Sequence, residues 1–263
     1  MIAAALIGVV VLVGMGVLVF RGHLGLDAPT DDNNPSTSAT ASPSAAPGES
    51  GSGSATPSSS APAVSPGGTV EPAALPSMLE SIASLNEKYK ANLIPAAGLA
   101  TEPFSGLMVT PGAYAGAILP GIDYVYRSAN YSGFSGQLLT DEATRTKIMQ
   151  AVIAFNTETE ATRFFNDRFT AWKSCADITI TADGGGTHST IQTGSISETE
   201  GIASISMWPV GDPTGNGATL RCERSMTPRK NVIVDVRVCV KDDATTLGEE
   251  LARSISQKVA DTP

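Results

Sequence analysis

"CERSMTPRKNVIVDVRVC", residues 222–239, has a valine-rich alternation in its second half, turn-forming residues in its middle and a cysteine at each end. The pattern predicts a β-hairpin. Successive strand side chains point to opposite faces, so Val232, Val234, Val236, Val238 and Val240 share one face, and Ile233, Asp235, Arg237 and Cys239 share the other. One face is therefore expected to be core and the other mixed. If Cys222 lies opposite Cys239, the turn centres between Lys230 and Asn231, and "TPRKN" forms the connection.

Short strand candidates precede the hairpin: "DITIT", "STIQTGSI", "IASISMW" and "ATLRCE", separated by the turn-rich loops "DGGGTHS" and "GDPTGNG". Further upstream, "TKIMQAVIAF" reads as a strand and "TETEATRFFNDRFTAWKSC" as a helix. Thr157 and Glu160 have capping-box spacing, and Ala161, Phe164, Phe165, Arg168, Phe169 and Trp172 form a broad face that suits packing on a sheet. The chain closes with a helix whose stripe is Leu247, Leu251, Ile255 and Val259. "PSMLESIASLNEKYKANL" predicts one amphipathic helix capped by Ser77, and between it and Asp141 the only strand candidate is "DYVYRS". Strands in series with helices at both ends imply an α+β domain, a mainly antiparallel β-sheet packed against helices, over residues 76–263.

The N-terminal third is built differently. Residues 1–20 carry no charge and no proline, and as a helix would span about 30 Å, the thickness of a bilayer core. They predict a transmembrane anchor or an uncleaved signal segment. Residues 21–75 are dominated by Ser, Pro, Ala, Thr and Gly and predict a disordered tether, about 40 Å long when flexible. Together these place the protein in the cell membrane as a single-pass protein whose C-terminal domain is extracytoplasmic.

The formal net charge of −9 and the scattered Lys and Arg exclude a nucleic-acid partner of the ordinary phosphate-binding kind. With two histidines, His23 and His188, a polyhistidine metal site is excluded, and no cofactor or metal is expected. A hydrolase would need Ser or carboxylate groups converging with His188, whereas that residue beside three glycines reads as an exposed loop side chain. Tyr114, Tyr124, Tyr126, Tyr131 and Phe134 form an aromatic cluster in a Gly-rich region, so Tyr124 and Tyr126, with Trp208, are the ligand-binding candidates; the alternative is ordinary packing. The three cysteines, Cys175, Cys222 and Cys239, allow three single bridges by count.

"QAVIAFNTETEATRFFNDRFTAWKSCA", "GATLRCERSM", "NVIVDVRVCVKDD" and "GEELARSISQKV", in that order, resemble the PknH-like extracellular sensor domains of actinobacteria, which occur on serine/threonine kinases and as stand-alone relatives. The resemblance covers roughly residues 78–259, and its most specific part is the W-x-x-C segment followed by two strand cysteines. It implies an antiparallel sheet with helices around a cleft, a location outside the membrane, an unidentified ligand, and no catalytic residues. The family usually has four cysteines in two disulfides, the earliest in a P-x-x-C-x-G context, where this chain has "TPGAYAG" with Tyr114 in the cysteine's place. The resemblance therefore implies a Cys222–Cys239 disulfide and a buried free thiol at Cys175. The expected function is a membrane-anchored sensing or ligand-binding module for a small molecule or cell-envelope component, not an enzyme. The alternative is a structural or interaction module that partners a membrane signalling protein.

Overall fold

The structure, a computed structural model, describes residues 68–184, 187–211, 220–241 and 243–263. The expected membrane segment, most of the expected tether and the turn at 212–217 lie outside the described residues. Among the described residues, no helix is long and apolar enough to cross a membrane.

Among the described residues, nine strands form one antiparallel sheet: β1 (Ile94–Pro95), β2 (Leu107–Thr110), β3 (Gly133–Asp141), β4 (Thr146–Ala154), β5 (Thr179–Gly184), β6 (Thr187–Thr199), β7 (Ile202–Pro209), β8 (Leu220–Arg229) and β9 (Val232–Lys241). Their spatial order is β1-β3-β4-β9-β8-β7-β6-β5-β2. Consecutive strands β5 to β9 make a meander of neighbours. The hairpin β8–β9 turns through Lys230 and Asn231, with Lys230 in the left-handed region at φ 51° and Cys222 directly opposite Cys239.

Helices cover both faces, and so central strands such as β9 are buried on both sides. On one face, Val232, Val234, Val236 and Val238 pack with Leu251, Ile255 and Val259 of α6 (Leu247–Asp261). Beside them lie α1 (Leu75–Met78) and α2 (Ile82–Tyr89). The other face is covered by α3 (Ala115–Ile118), α4 (Asp123–Tyr126) and α5 (Glu158–Trp172), which bury Ala161, Phe165, Phe169 and Trp172 against it. The capping box of α5 is present in both directions, Glu160 N–H to Thr157 Oγ1 and Thr157 N–H to Glu160 Oε2, each at 3.2 Å.

Five details differ from the sequence expectations. Strands β1, β2 and β3 form in residues 94–141, where the sequence pattern predicts only "DYVYRS" to be extended. The first helix is two helices: Leu79 is extended, and Ser81, not Ser77, caps the second by accepting from Ser84 N–H. The break is held by buried Gln150, which accepts from Glu80 N–H and donates to the Glu80 carbonyl, both at 2.9 Å. "DYVYRS" is helical rather than extended, because Asp123 starts a turn that pairs with Arg127 four residues on at 2.6 Å and aims Tyr126 into the core. The fold also starts before residue 76: Val70 and Leu75 are buried, and Asn231 both accepts from Val70 N–H and donates to its carbonyl. Finally, the mixed face of β9 is not a surface, since Asp235 and Arg237 lie under α3 and α4.

Candidate functional site

The buried charges of β9 are arranged unequally. Asp235, wholly buried, accepts two bonds from the guanidinium of Arg224 on β8, at 3.0 and 2.8 Å, and one each from Gly121 N–H and Tyr126 Oη, both at 2.9 Å. Arg224 and Trp172 Nε1 also donate to the Gly116 carbonyl, which ties α3 and α5 to the sheet. This pair is saturated. One strand pleat further on, Arg237 is 6% exposed and meets neutral atoms: it donates to the Ile118 carbonyl at 3.2 Å and lies 3.3 Å from Met149 Sδ. Among the described residues, no carboxylate is within ion-pair distance of it. Burial first, and the neighbouring Arg224 second, pull its pKa down to about 10.

Arg237 forms part of the wall of a cavity of about 360 Å³. Leu138, Met149 and Arg237 sit side by side across β3, β4 and β9 as one part of the lining. Leu107, Ala182 and Ile191 contribute from β2, β5 and β6, near the opposite end of the strand order. The sheet therefore curls so that its two ends share a cavity, helped by the irregular register between β6 and β7 at Thr193 to Ile196. Phe104, edge-to-face on Phe134 at 5.6 Å, Ile118 and Ile122 complete the wall. Lys147 and Glu142 line it too; burial lowers the Lys147 pKa against the opposing pull of Glu142, and Arg237 lowers it further. The size and mostly apolar lining, with few polar groups, are those of a small-molecule site.

The structure puts the three aromatic candidates elsewhere. Tyr124 is exposed, Tyr126 is wholly buried with its hydroxyl on Asp235, and Trp208 borders a separate serine-rich groove under the guanidinium of Arg221, 4.5 Å from its ring centre. None of them lines the apolar cavity. His188 is exposed and paired with Asp183 at 2.6 Å on the β5–β6 hairpin, and neither is among the residues that line the cavity. Cys222 and Cys239 are bonded, with a Cα–Cα distance of 4.0 Å. Cys175 is a buried free thiol whose pKa is raised by burial. Ala113 and Gly116 border the same small cavity as Cys175, so the segment that carries Tyr114 runs beside the free thiol.

Sequence reasoning passed over Arg237. The available signal was an arginine in a strand whose neighbours are mostly Val, Ile and Cys, a charge that is expensive to bury unless it is paired or used.

A family model described as the PknH-like extracellular domain matches residues 70–258. The serine/threonine-protein kinase PknH of Mycobacterium bovis is 24% identical over 156 residues, 54% of this chain and 23% of that protein. PknH of Mycobacterium tuberculosis is 25% identical over 138 residues, 47% of this chain and 19% of that protein. The chain thus spans about a quarter or less of the length of these curated relatives. The crystal structure of the extracellular domain of PknH from Mycobacterium tuberculosis superposes with a TM-score of 0.68 at 22% identity, covering 74% of this chain and 100% of that one, which shows a shared fold.

Proposed function

The chain belongs to the family of PknH-like extracellular domains, and from that premise we propose that it is an extracytoplasmic sensing domain that binds a small molecule in the cavity between the two ends of its sheet. Residues 1–20 hold it to the membrane, and the Ser/Pro/Ala/Thr/Gly-rich residues 21–67 carry the domain away from the bilayer. The observation that carries the reading is the cavity itself: about 360 Å³, lined by apolar side chains from β2 to β6 and the α3–α4 segment, with one buried cation in its wall. Among the described residues, none of the lining hydroxyls of Ser105, Thr140 and Ser189 is hydrogen-bonded to a lining base, so the arrangement suits binding rather than catalysis.

Thermal melting of the protein with fractionated cell-envelope extracts tests this, since a ligand that binds the native state alone raises the melting temperature by mass action. A fraction is expected to raise it in the wild type and to fail with Ala182→Phe, which fills the cavity. If no fraction shifts the wild type, or if Ala182→Phe responds equally, the cavity is not the site.

A further inference from the structure

We propose that the ligand is a single-chain amphiphilic anion, its carboxylate or phosphate held by the guanidinium of Arg237 and its chain lying along Leu107, Leu138, Met149, Ala182 and Ile191. The proposal rests on the cavity being the ligand site and adds the chemistry of what enters it.

Charge balance is the first argument. Buried charges in folded proteins are paired, because an unpaired ion loses its hydration without compensation. The two inward arginines of the β8–β9 hairpin form a built-in comparison. Arg224 has Asp235 for its charge, whereas Arg237, equally inside the protein, has a carbonyl and a thioether. These occupy two of the five N–H donors of its guanidinium. Of the other titratable groups in the lining, Lys147 is a second cation and Glu142, the single carboxylate, is exposed. The cavity therefore offers positive charge on an apolar wall, and a planar guanidinium fork is suited to the two oxygens of a carboxylate or phosphate.

Volume gives the second argument. At about 360 Å³ the cavity lies near the lower end of the roughly 300–1,000 Å³ of small-molecule pockets, a size that suits one chain of about ten carbons with its headgroup. That size suits a free single-chain amphiphile better than a lipid drawn whole from a bilayer.

The test is NMR titration of the full chain with ¹³C-methyl methionine, following Met149 beside Arg237, against decanoate, decyl phosphate and decan-1-ol. Both anions are expected to bind at least about tenfold more tightly than the alcohol. Arg237→Met should erase that preference while keeping alcohol binding, and Arg237→Lys should retain part of it. Equal affinity of the wild type for alcohol and anions would overturn the anion assignment and leave the cavity as a ligand site. No response of Met149 to any of the three would overturn both. A Met149 response that favours the anions equally in wild type and Arg237→Met would remove Arg237 from the headgroup role.

Discussion

Replacing Arg237 by methionine separates what the residue costs the fold from what it does for a ligand. Burial and the nearby Arg224 hold its guanidinium at about 10, well below the ordinary arginine value. At about 1.4 kcal/mol per tenfold, the gap is worth about 3 kcal/mol against the charged form. The folded value lies below the unfolded one, so the unfolded chain holds the proton more tightly and stability rises with pH from about 10 up to the ordinary arginine value. At pH 7 the whole penalty is present. Against it stand one hydrogen bond to the Ile118 carbonyl, about 1 kcal/mol net, and the contact with Met149. Methionine fills much of the same space with no charge. Arg237→Met is therefore expected to raise stability by about 1–2 kcal/mol, or about 2–8 °C in melting temperature for a domain of this size. Urea unfolding at pH 7 measures it, as a higher midpoint at an unchanged slope. A variant less stable than wild type by more than about 1 kcal/mol would refute the reasoning, because the charge would then have a partner that stabilises it.

Asp235→Asn leaves Arg224 buried without its counter-charge and is expected to cost about 3–5 kcal/mol in urea unfolding; a loss under 1 kcal/mol would contradict the reading of the pair as buried and saturated. Replacing Cys222 and Cys239 together by serine removes a link closing 17 residues, and should lower stability by about 3 kcal/mol if unfolded-chain entropy dominates. Glu223, on β8, accepts from Gly248 and Glu249 N–H and so caps α6 from outside the helix. Burial raises its pKa above the ordinary 4.5 despite these bonds, so its contribution is fullest below that value and is lost as pH rises through the folded one. Glu223→Gln keeps an acceptor for the cap and should flatten the dependence of the unfolding midpoint on pH in that range.

Much of the sheet was legible because local signals and tertiary structure agree. The alternation of residues 232–240, the capping box at Thr157 and the stripe of Leu251, Ile255 and Val259 each describe a periodicity that the fold uses unchanged. Where local signals failed, a distant residue had replaced them. Gln150, seventy positions away, holds the break before Ser81, and Asp235 receives the hydroxyl of Tyr126 in a segment that reads as extended. Strand β3 was missed because Gly133, Ser135 and Gly136 dilute its apolar pattern; a Cβ at Gly136 would come within 2.8 Å of the Phe104 and Phe134 rings. The cavity was illegible for a related reason. Its walls come from strands at both ends of the sheet order, and a curl that brings Leu107 and Leu138 to one cavity leaves no trace in sequence spacing. Aromatic residues attracted the search for a site, yet Tyr126 serves the core and the group that stands out is an arginine on the hairpin.

The most direct measurement is photolabelling of the full chain with a ten-carbon carboxylic acid that carries a diazirine at its far end, followed by peptide mapping with and without excess decanoate. The account predicts label on the cavity walls, in residues 104–107, 118–122, 182–184 or 189–191, and its loss when decanoate competes. Label concentrated instead in the groove of Ser204, Ser206 and Trp208, or label that decanoate does not displace, would contradict it.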